Sequence, residues 1–313
     1  MRRAGRAGQR AAARFVHTPM LRIAEAKPSP RCARFINSAS YRHYWRPDLA
    51  LVDRQCTRPR RVTQMSSQTT SHLVDPVGAV SAALGTDRRF WADAFDADPR
   101  YAEQVAAFTT TVTSCRALSD KDRDLILFGA AAAATAADGT MMQAHAARAL
   151  HSGATVRELD EVLLAVAVLG GHAHSIAMTA LIELDPEAGV DGELTASQVA
   201  LKERWIAAWG FWNDHWDRLL RLDEEFFEAY LVFARGPWDN GILSHKFMEL
   251  LYMGIDASCT HMYERGLAIH LRGARSRGAS LTEIMDVLRL FGSQGLRSMS
   301  DGLAIAHGVA PGA

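Results

Sequence analysis

Thiols are scarce in this 313-residue chain, which has only Cys32, Cys56, Cys115 and Cys259 and no Cys-x-x-Cys pair. The spacing excludes a local dithiol redox centre, and four scattered thiols do not make a disulfide framework. Long uninterrupted apolar runs are also missing. The run from Leu125 to Ala137 is too short to cross a bilayer, and Gly170, Gly171, His172, His174 and Ser175 interrupt the one from Val162 to Ile182. No membrane span is therefore expected. Net charge is absent as well, with 35 basic and 35 acidic residues. That balance hides an asymmetry, because residues 1–61 carry fifteen Lys+Arg against three acids, which leaves the remainder at a net −12. An acidic body argues against nucleic acid as a partner.

Residues 1–64 differ from the rest in composition. The opening MRRAGRAGQRAAAR is Arg/Ala/Gly-rich, free of acids and without the apolar run of a secretory signal. It reads either as a disordered leader or as an organellar transit segment. The first reading implies a cytoplasmic protein, the second a mitochondrial one.

From Trp91 onward the chain repeats itself at a constant displacement of 125 residues. Trp91 falls on Trp216, Asp98 on Asp223, Leu118-Ser119-x-Lys121 on Leu243-Ser244-x-Lys246, Gly129 on Gly254 and His145 on His270. The register continues through Gly153-Ala154 and Gly278-Ala279 to Gly170 and Gly295. One offset held over such a span marks a tandem duplication of one structural unit. The two units are placed at 73–187 and 198–312. Each copy is a control for the other: polar residues kept in both serve the common fold, and residues found in one are free for chemistry.

Both repeats read as helical, without period-two strands. In each copy a helix carrying His145 or His270 stops at Gly153 or Gly278, the residue type favoured just past a helix end. Thr155-x-x-Glu158 or Ser280-x-x-Glu283 follows as a capping box. The next helix is apolar at Leu159, Val162, Leu163 and Val166, or at Ile284, Val287, Leu288 and Phe291, the spacing of one buried face. The expected fold is all-α: two tandem helical bundles related by an internal pseudo-twofold. Trp205, Trp209, Trp212 and Trp216 fall at i, i+4, i+7 and i+11, so they are expected as one stripe on the helix opening the second repeat. That stripe should lie in an interdomain or intersubunit contact. Arg157, Asp160, Glu161, Asp214, His215 and Asp217 are expected on solvated polar faces.

The pattern His-x7-Gly-Ala-[Thr/Ser]-x2-Glu, preceded by Leu-Ser-x-Lys, resembles the carboxymuconolactone decarboxylase / alkylhydroperoxidase D-like family, in its double-domain form. The likeness covers both repeats and is closest in the second. It implies that family's helical bundle and a homo-oligomer. The hydroperoxidase branch of the family works through a Cys-x-x-Cys. At the matching positions this chain has Asp138 and Met141 in one copy and Tyr263 and Gly266 in the other. Without paired thiols there is no disulfide to cycle. The resemblance to the lactone decarboxylase branch implies acid–base chemistry without a cofactor on a small carboxylated lactone or related enolisable acid.

The residues expected to carry catalysis are His270, Glu249, Asp256 and His261. His145 and His270 match the family's motif histidine, which is either an acid–base group titrating near neutrality or a core hydrogen-bonder. Glu249 and Asp256 lie seven apart, on one helix face. Cys259 and His261 are confined to the second copy, where the first has Ala134 and Ala136. Cys259, Tyr263, His145 and His172 are expected to bind substrate, although Cys259 also reads as a small buried hydrophobe. His172 and His174 suggest a metal pair, but i and i+2 diverge on a helix and no third ligand has a recognisable spacing, so neither metal nor cofactor is expected. The competing reading is a catalytically silent scaffold or binding subunit. The concentration of polar residues in one copy favours the enzyme.

Overall fold

The computed structural model describes residues 75–95, 99–189, 192–210, 212–213 and 216–308. The leader expected at 1–64, Asp214 and His215 lie outside the described residues. No strand occurs among the described residues. The first repeat contributes α1 (Pro76–Leu84), α2 (Arg88–Phe95), α3 (Pro99–Thr113), α4 (Asp120–Ala132), α5 (Gly139–His151), α6 (Val156–Val168) and α7 (His172–Leu184). The second contributes α8 (Ala196–Trp209), α9 (Trp216–Leu222), α10 (Glu224–Asp239), α11 (His245–Ala257), α12 (Glu264–Ser276), α13 (Leu281–Gly292) and α14 (Gly295–Gly308). The bounds of α11 and α12 are those of α4 and α5 displaced by 125.

The residues common to both copies are those that start and tie these helices. Ser119 accepts from the Asp122 amide to cap α4, and Ser244 accepts from the Phe247 amide to cap α11. Both capping boxes are complete: Glu158 accepts from the Thr155 amide at 2.7 Å and Glu283 from the Ser280 amide at 2.7 Å. The same glutamates pair with Lys121 at 2.9 Å and Lys246 at 2.7 Å. The Leu-Ser-x-Lys motif thus links the start of one helix to the start of another. Each such partly exposed pair contributes at most about 1 kcal/mol. Ala137 and Met262 adopt positive φ, 43° and 46°, at equivalent places before α5 and α12. Backbone strain present in both copies belongs to the shared turn.

Residues from both stretches of the sequence, 73–187 and 198–312, share one core. Leu125, Ile126 and Val162 of the first are buried together with Met248, Leu251, Met253 and Val287 of the second. The hydroxyls of Thr135 and Thr260, residues 125 apart, bond each other at 2.8 Å. From Val156 to Leu184 the chain is helical for 29 residues and apolar enough to cross a membrane by length and composition. Leu159, Val162, Ala165, Val166 and Val168 on it are buried in the fold, which accounts for much of that apolarity.

Three local expectations change. The tryptophans do not share one helix, because Gly210 ends α8 in the left-handed conformation (φ 72°) after Trp209. Trp216 instead opens α9, and the chain folds back so that Trp205 meets Trp209 at 4.2 Å and Trp216 at 4.7 Å. Their surroundings are Phe227, Leu231 and Met178, a third apolar cluster within the chain. Glu161 is buried at 3% exposure, and its Oε2 accepts from Asn240 at 3.0 Å. Arg157 and Asp160 beside it are exposed as expected. Asp217 is half-buried and accepts from Lys202 at 2.8 Å and from the Trp212 indole at 3.0 Å.

Candidate functional site

Six of the eight expected site residues converge at one place in the second repeat. Helix α11 carries Glu249 and Asp256 two turns apart on one face, and α12 lays His270 across both. His270 Nδ1 is 2.7 Å from Glu249 Oε2, and its Nε2 is 3.9 Å from Asp256 Oδ2. Arg277 holds the other Glu249 oxygen at 2.8 Å. Tyr252 stacks on the imidazole with ring centres 4.9 Å apart.

His261 and Tyr263 come from the turn between α11 and α12. His172 comes from the other repeat, at the start of α7. His172 Nδ1 lies 2.8 Å from His261 Nε2, and both nitrogens face Asp256 Oδ1, at 3.8 and 3.5 Å. The Tyr263 ring covers His172 at 4.1 Å.

Two glycines make room for the carboxylates. A Cβ on Gly273 would fall 2.2 Å from Glu249 Oε1, and one on Gly266 would fall 2.1 Å from Asp256 Oδ2. The first repeat has Arg148 and Met141 at these positions. At the Gly266 position the small residue stands in the copy that has the acid Asp256, and the large Met141 in the copy with Ala131. At the Gly273 position Arg148 instead pairs with Asp124, the counterpart of Glu249. Sequence reasoning also passed over Arg277 and Tyr252.

Burial sets the protonation states. Asp256 is fully buried, its pKa is lifted by that burial to about 8, and neither oxygen has a hydrogen-bond partner. A carboxyl group of this kind keeps its proton at neutral pH. Burial, helped by the neighbouring His261 and His270, lowers His172 to about 3. Burial also lowers His261 and raises the Tyr263 phenol. Asp256 is therefore a neutral acid beside the two neutral imidazoles of His172 and His261.

Cys259 and His145 are elsewhere. Both line a cavity of about 200 Å³, with Trp91, Met141 and Asp138 on one side and Arg297 of α14 on the other. Its chemistry is that of a locked site. Asp124, the counterpart of Glu249, is fully buried and held by Arg123 at 2.7 Å and Arg148 at 3.0 Å, with His145 Nδ1 at 3.6 Å. Burial lowers the His145 pKa. Asp138 caps α5 by accepting from the Met141 amide at 3.0 Å and pairs with Arg297. Arg297 lies 125 residues after His172, in the first turn of α14 as His172 is in the first turn of α7.

The thiols stand apart from the proton-moving groups. Burial, with the nearby Asp286 charge, raises Cys115 to about 11, whereas Cys259 is exposed. Cys259 is thus surface rather than core, contrary to the buried-hydrophobe reading. His174 turns away from His172 and stacks on Phe226 with centres 3.6 Å apart, so these two histidines form no pair.

Comparison with known proteins follows this geometry. The family model described as Carboxymuconolactone decarboxylase family matches residues 99–183, within the first repeat. The chain is also similar to a solved structure from Burkholderia xenovorans LB400, provisionally named a gamma-carboxymuconolactone decarboxylase subunit. The two share 32% identity over 74% of this chain and 95% of the other, with a TM-score of 0.68. A comparison with curated proteins finds no match.

Proposed function

Because this chain belongs to the carboxymuconolactone decarboxylase family, we propose that it is a decarboxylase- or isomerase-type enzyme acting on a small carboxylated lactone or related enolisable acid. One observation carries the reading: His270 is held through Nδ1 by buried Glu249 while Nε2 faces buried Asp256. An imidazole oriented by a carboxylate and directed at a proton donor is the arrangement that moves protons in general acid–base catalysis.

Loss of CO2 from a conjugated acid breaks a C–C bond and leaves its electron pair on carbon, delocalised as an enolate. A proton must then reach that carbon. Asp256, protonated in its buried site, passes its proton to His270 Nε2, which delivers it to that carbon, and solvent restores the proton to Asp256. Glu249 accepts from Nδ1 and so directs Nε2 toward Asp256, and Arg277 holds Glu249 in place. His172, His261 and Tyr263 line the opposite wall, where they orient the substrate's oxygens. The same reading takes 73–187 and 198–312 as two repeats of the family unit related by a pseudo-twofold axis. The bond between Thr135 and Thr260 and the exchanged ends of α7 and α14 support it.

The test is to incubate the protein with a panel of carboxylated lactones and follow loss of CO2 by mass. Turnover of at least one member is expected, and inertness toward all of them would remove the proposal. Two further results are expected in the same assay. Gly273→Ala puts a methyl group where the Glu249 carboxylate lies. A displacement of about 1 Å at a catalytic group costs on the order of 100-fold, so kcat should fall by roughly that factor with circular dichroism unchanged. The double variant Cys115→Ala, Cys259→Ala should keep its fold and at least about half its activity, because neither thiol touches the imidazole cluster. Dithiol-dependent reduction of a hydroperoxide by the native chain would contradict the assignment, since that chemistry needs a resolving partner thiol.

A further inference from the structure

We propose that His172 Nδ1, Asp256 Oδ1 and His261 Nε2 form a binding site for one divalent transition-metal cation of the zinc type, with a fourth coordination position open. The three atoms lie 2.8, 3.5 and 3.8 Å apart. A point in their plane equidistant from all three is about 2.0 Å from each, which is close to the zinc–imidazole and zinc–carboxylate bond lengths. The edges of a tetrahedron built on such bonds average about 3.3 Å, within the range these atoms span.

A second, independent observation is the carboxylate itself. Asp256 is fully buried and neither oxygen accepts a hydrogen bond. Burying such a group without a partner is costly. A single N–H···N bond between His172 and His261 would explain their 2.8 Å approach but would leave Asp256 unsatisfied. A cation at the shared point uses all three atoms. Metal binding would release the proton that Asp256 keeps in the metal-free chain, so that with the cation bound the proton relayed through His270 comes from solvent. Two imidazoles with a carboxylate are ligands suited to zinc, and three protein ligands with an open position are the pattern of a catalytic rather than a structural site. The second Asp256 oxygen faces His270 at 3.9 Å, so a substrate oxygen on the open position would sit beside the proton-moving group.

The duplication limits the stoichiometry. The first repeat has Ala131 and Ala136 where the second has Asp256 and His261, and Arg297 stands at the position equivalent to His172. Among the described residues there is one such site. The proposal departs from the sequence expectation of no metal. That expectation considered His172 with His174, whereas the two further ligands proposed here are 84 and 89 residues away in the chain.

Binding is read without turnover, so its outcome is separate from that of the lactone reading. The untagged full chain is stripped with a chelator, then titrated with Zn²⁺ by calorimetry and with Co²⁺ by visible absorption. One equivalent of Zn²⁺ is expected, with the intense visible band of four-coordinate Co²⁺. His172→Ala and His261→Ala should each weaken Zn²⁺ binding at least about 100-fold, and His174→Ala should leave it unchanged. Binding unaffected by the first two substitutions, a stoichiometry other than one, or no saturable binding would overturn the site. Should either alanine variant misfold, the Co²⁺ spectrum of the native chain decides, because a weak six-coordinate spectrum contradicts a three-ligand site of this shape.

Discussion

His270→Ala is expected to lower kcat by roughly 100- to 10,000-fold, the range associated with losing a positioned acid–base group. Thermal stability should change little, because this half-buried imidazole contributes function more than packing. Glu249→Gln should produce a smaller loss, about 10- to 100-fold. The amide still fits beside Gly273 and can hydrogen-bond His270, but it no longer fixes the proton on Nδ1 or stabilises the imidazolium. His145→Ala is the internal control and should show the opposite pattern. That histidine is buried at 2% exposure beside Asp124, which two arginines already neutralise. Its loss should lower stability by about 1–2 kcal/mol through a small cavity while turnover persists. Steady-state kinetics and thermal unfolding on the three variants check the set. Equal kcat in His270→Ala and the native protein would exclude the proton-transfer role.

Asp286→Ala is expected to cost about 3–5 kcal/mol, the loss associated with breaking a buried charged network. The side chain is fully buried on α13, and one of its oxygens accepts from the amides of Arg116, Ala117 and Leu118 at 2.8, 2.7 and 3.2 Å. Arg289 pairs with the other oxygen. Asp286 therefore fastens the loop before α4 to α13, and its removal takes the shared acceptor from three backbone amides. For a unit of this size, the melting midpoint should fall by about 10 °C.

The carboxylate also supplies a pH signature. Burial works to raise its pKa, but the three amides and Arg289 outweigh it, so the pKa is lowered from 3.8. A depressed folded pKa means that the contribution is fully present above the unfolded value. It is lost as pH falls from about 4 through the folded pKa. The stability gap between the native chain and Asp286→Asn should accordingly be constant from pH 5 to 7 and close in acid. A gap that is independent of pH down to pH 2 would mean that the ionised form is not what holds the loop. The counterpart Glu161 has one oxygen on Asn240 and the other unpartnered, so Glu161→Gln should cost far less.

Both predictions depend on residues that the duplication distinguishes, and the same comparison shows how far sequence reasoning reached. Helix starts were legible because they are local. Ser119, Thr155, Ser244 and Ser280 cap within three residues of themselves, and the 3.6-residue period marks the buried faces of α6 and α13. The pairing of Glu249 and Asp256 on one face follows from two helical turns. The tryptophan stripe failed for an equally local reason: Gly210 admits the left-handed cap that stops α8, and a spacing count alone overlooked it.

What the sequence determined by itself is thus the unit: its helices, their caps, its repetition at 125 residues and the copy in which polar groups collect. The assembly of units into a site was decided only by tertiary structure. His172 at the start of α7 reaches Asp256 and His261, and Arg297 at the start of α14 reaches Asp138. Glu161 and Asp286 are buried because each faces a loop of the opposite repeat. Such contacts join positions about 80 to 170 residues apart through one shared core. No local propensity or period encodes them, since burial at an interface between repeats depends on which apolar faces meet. Periodicity identifies an apolar face without saying what covers it.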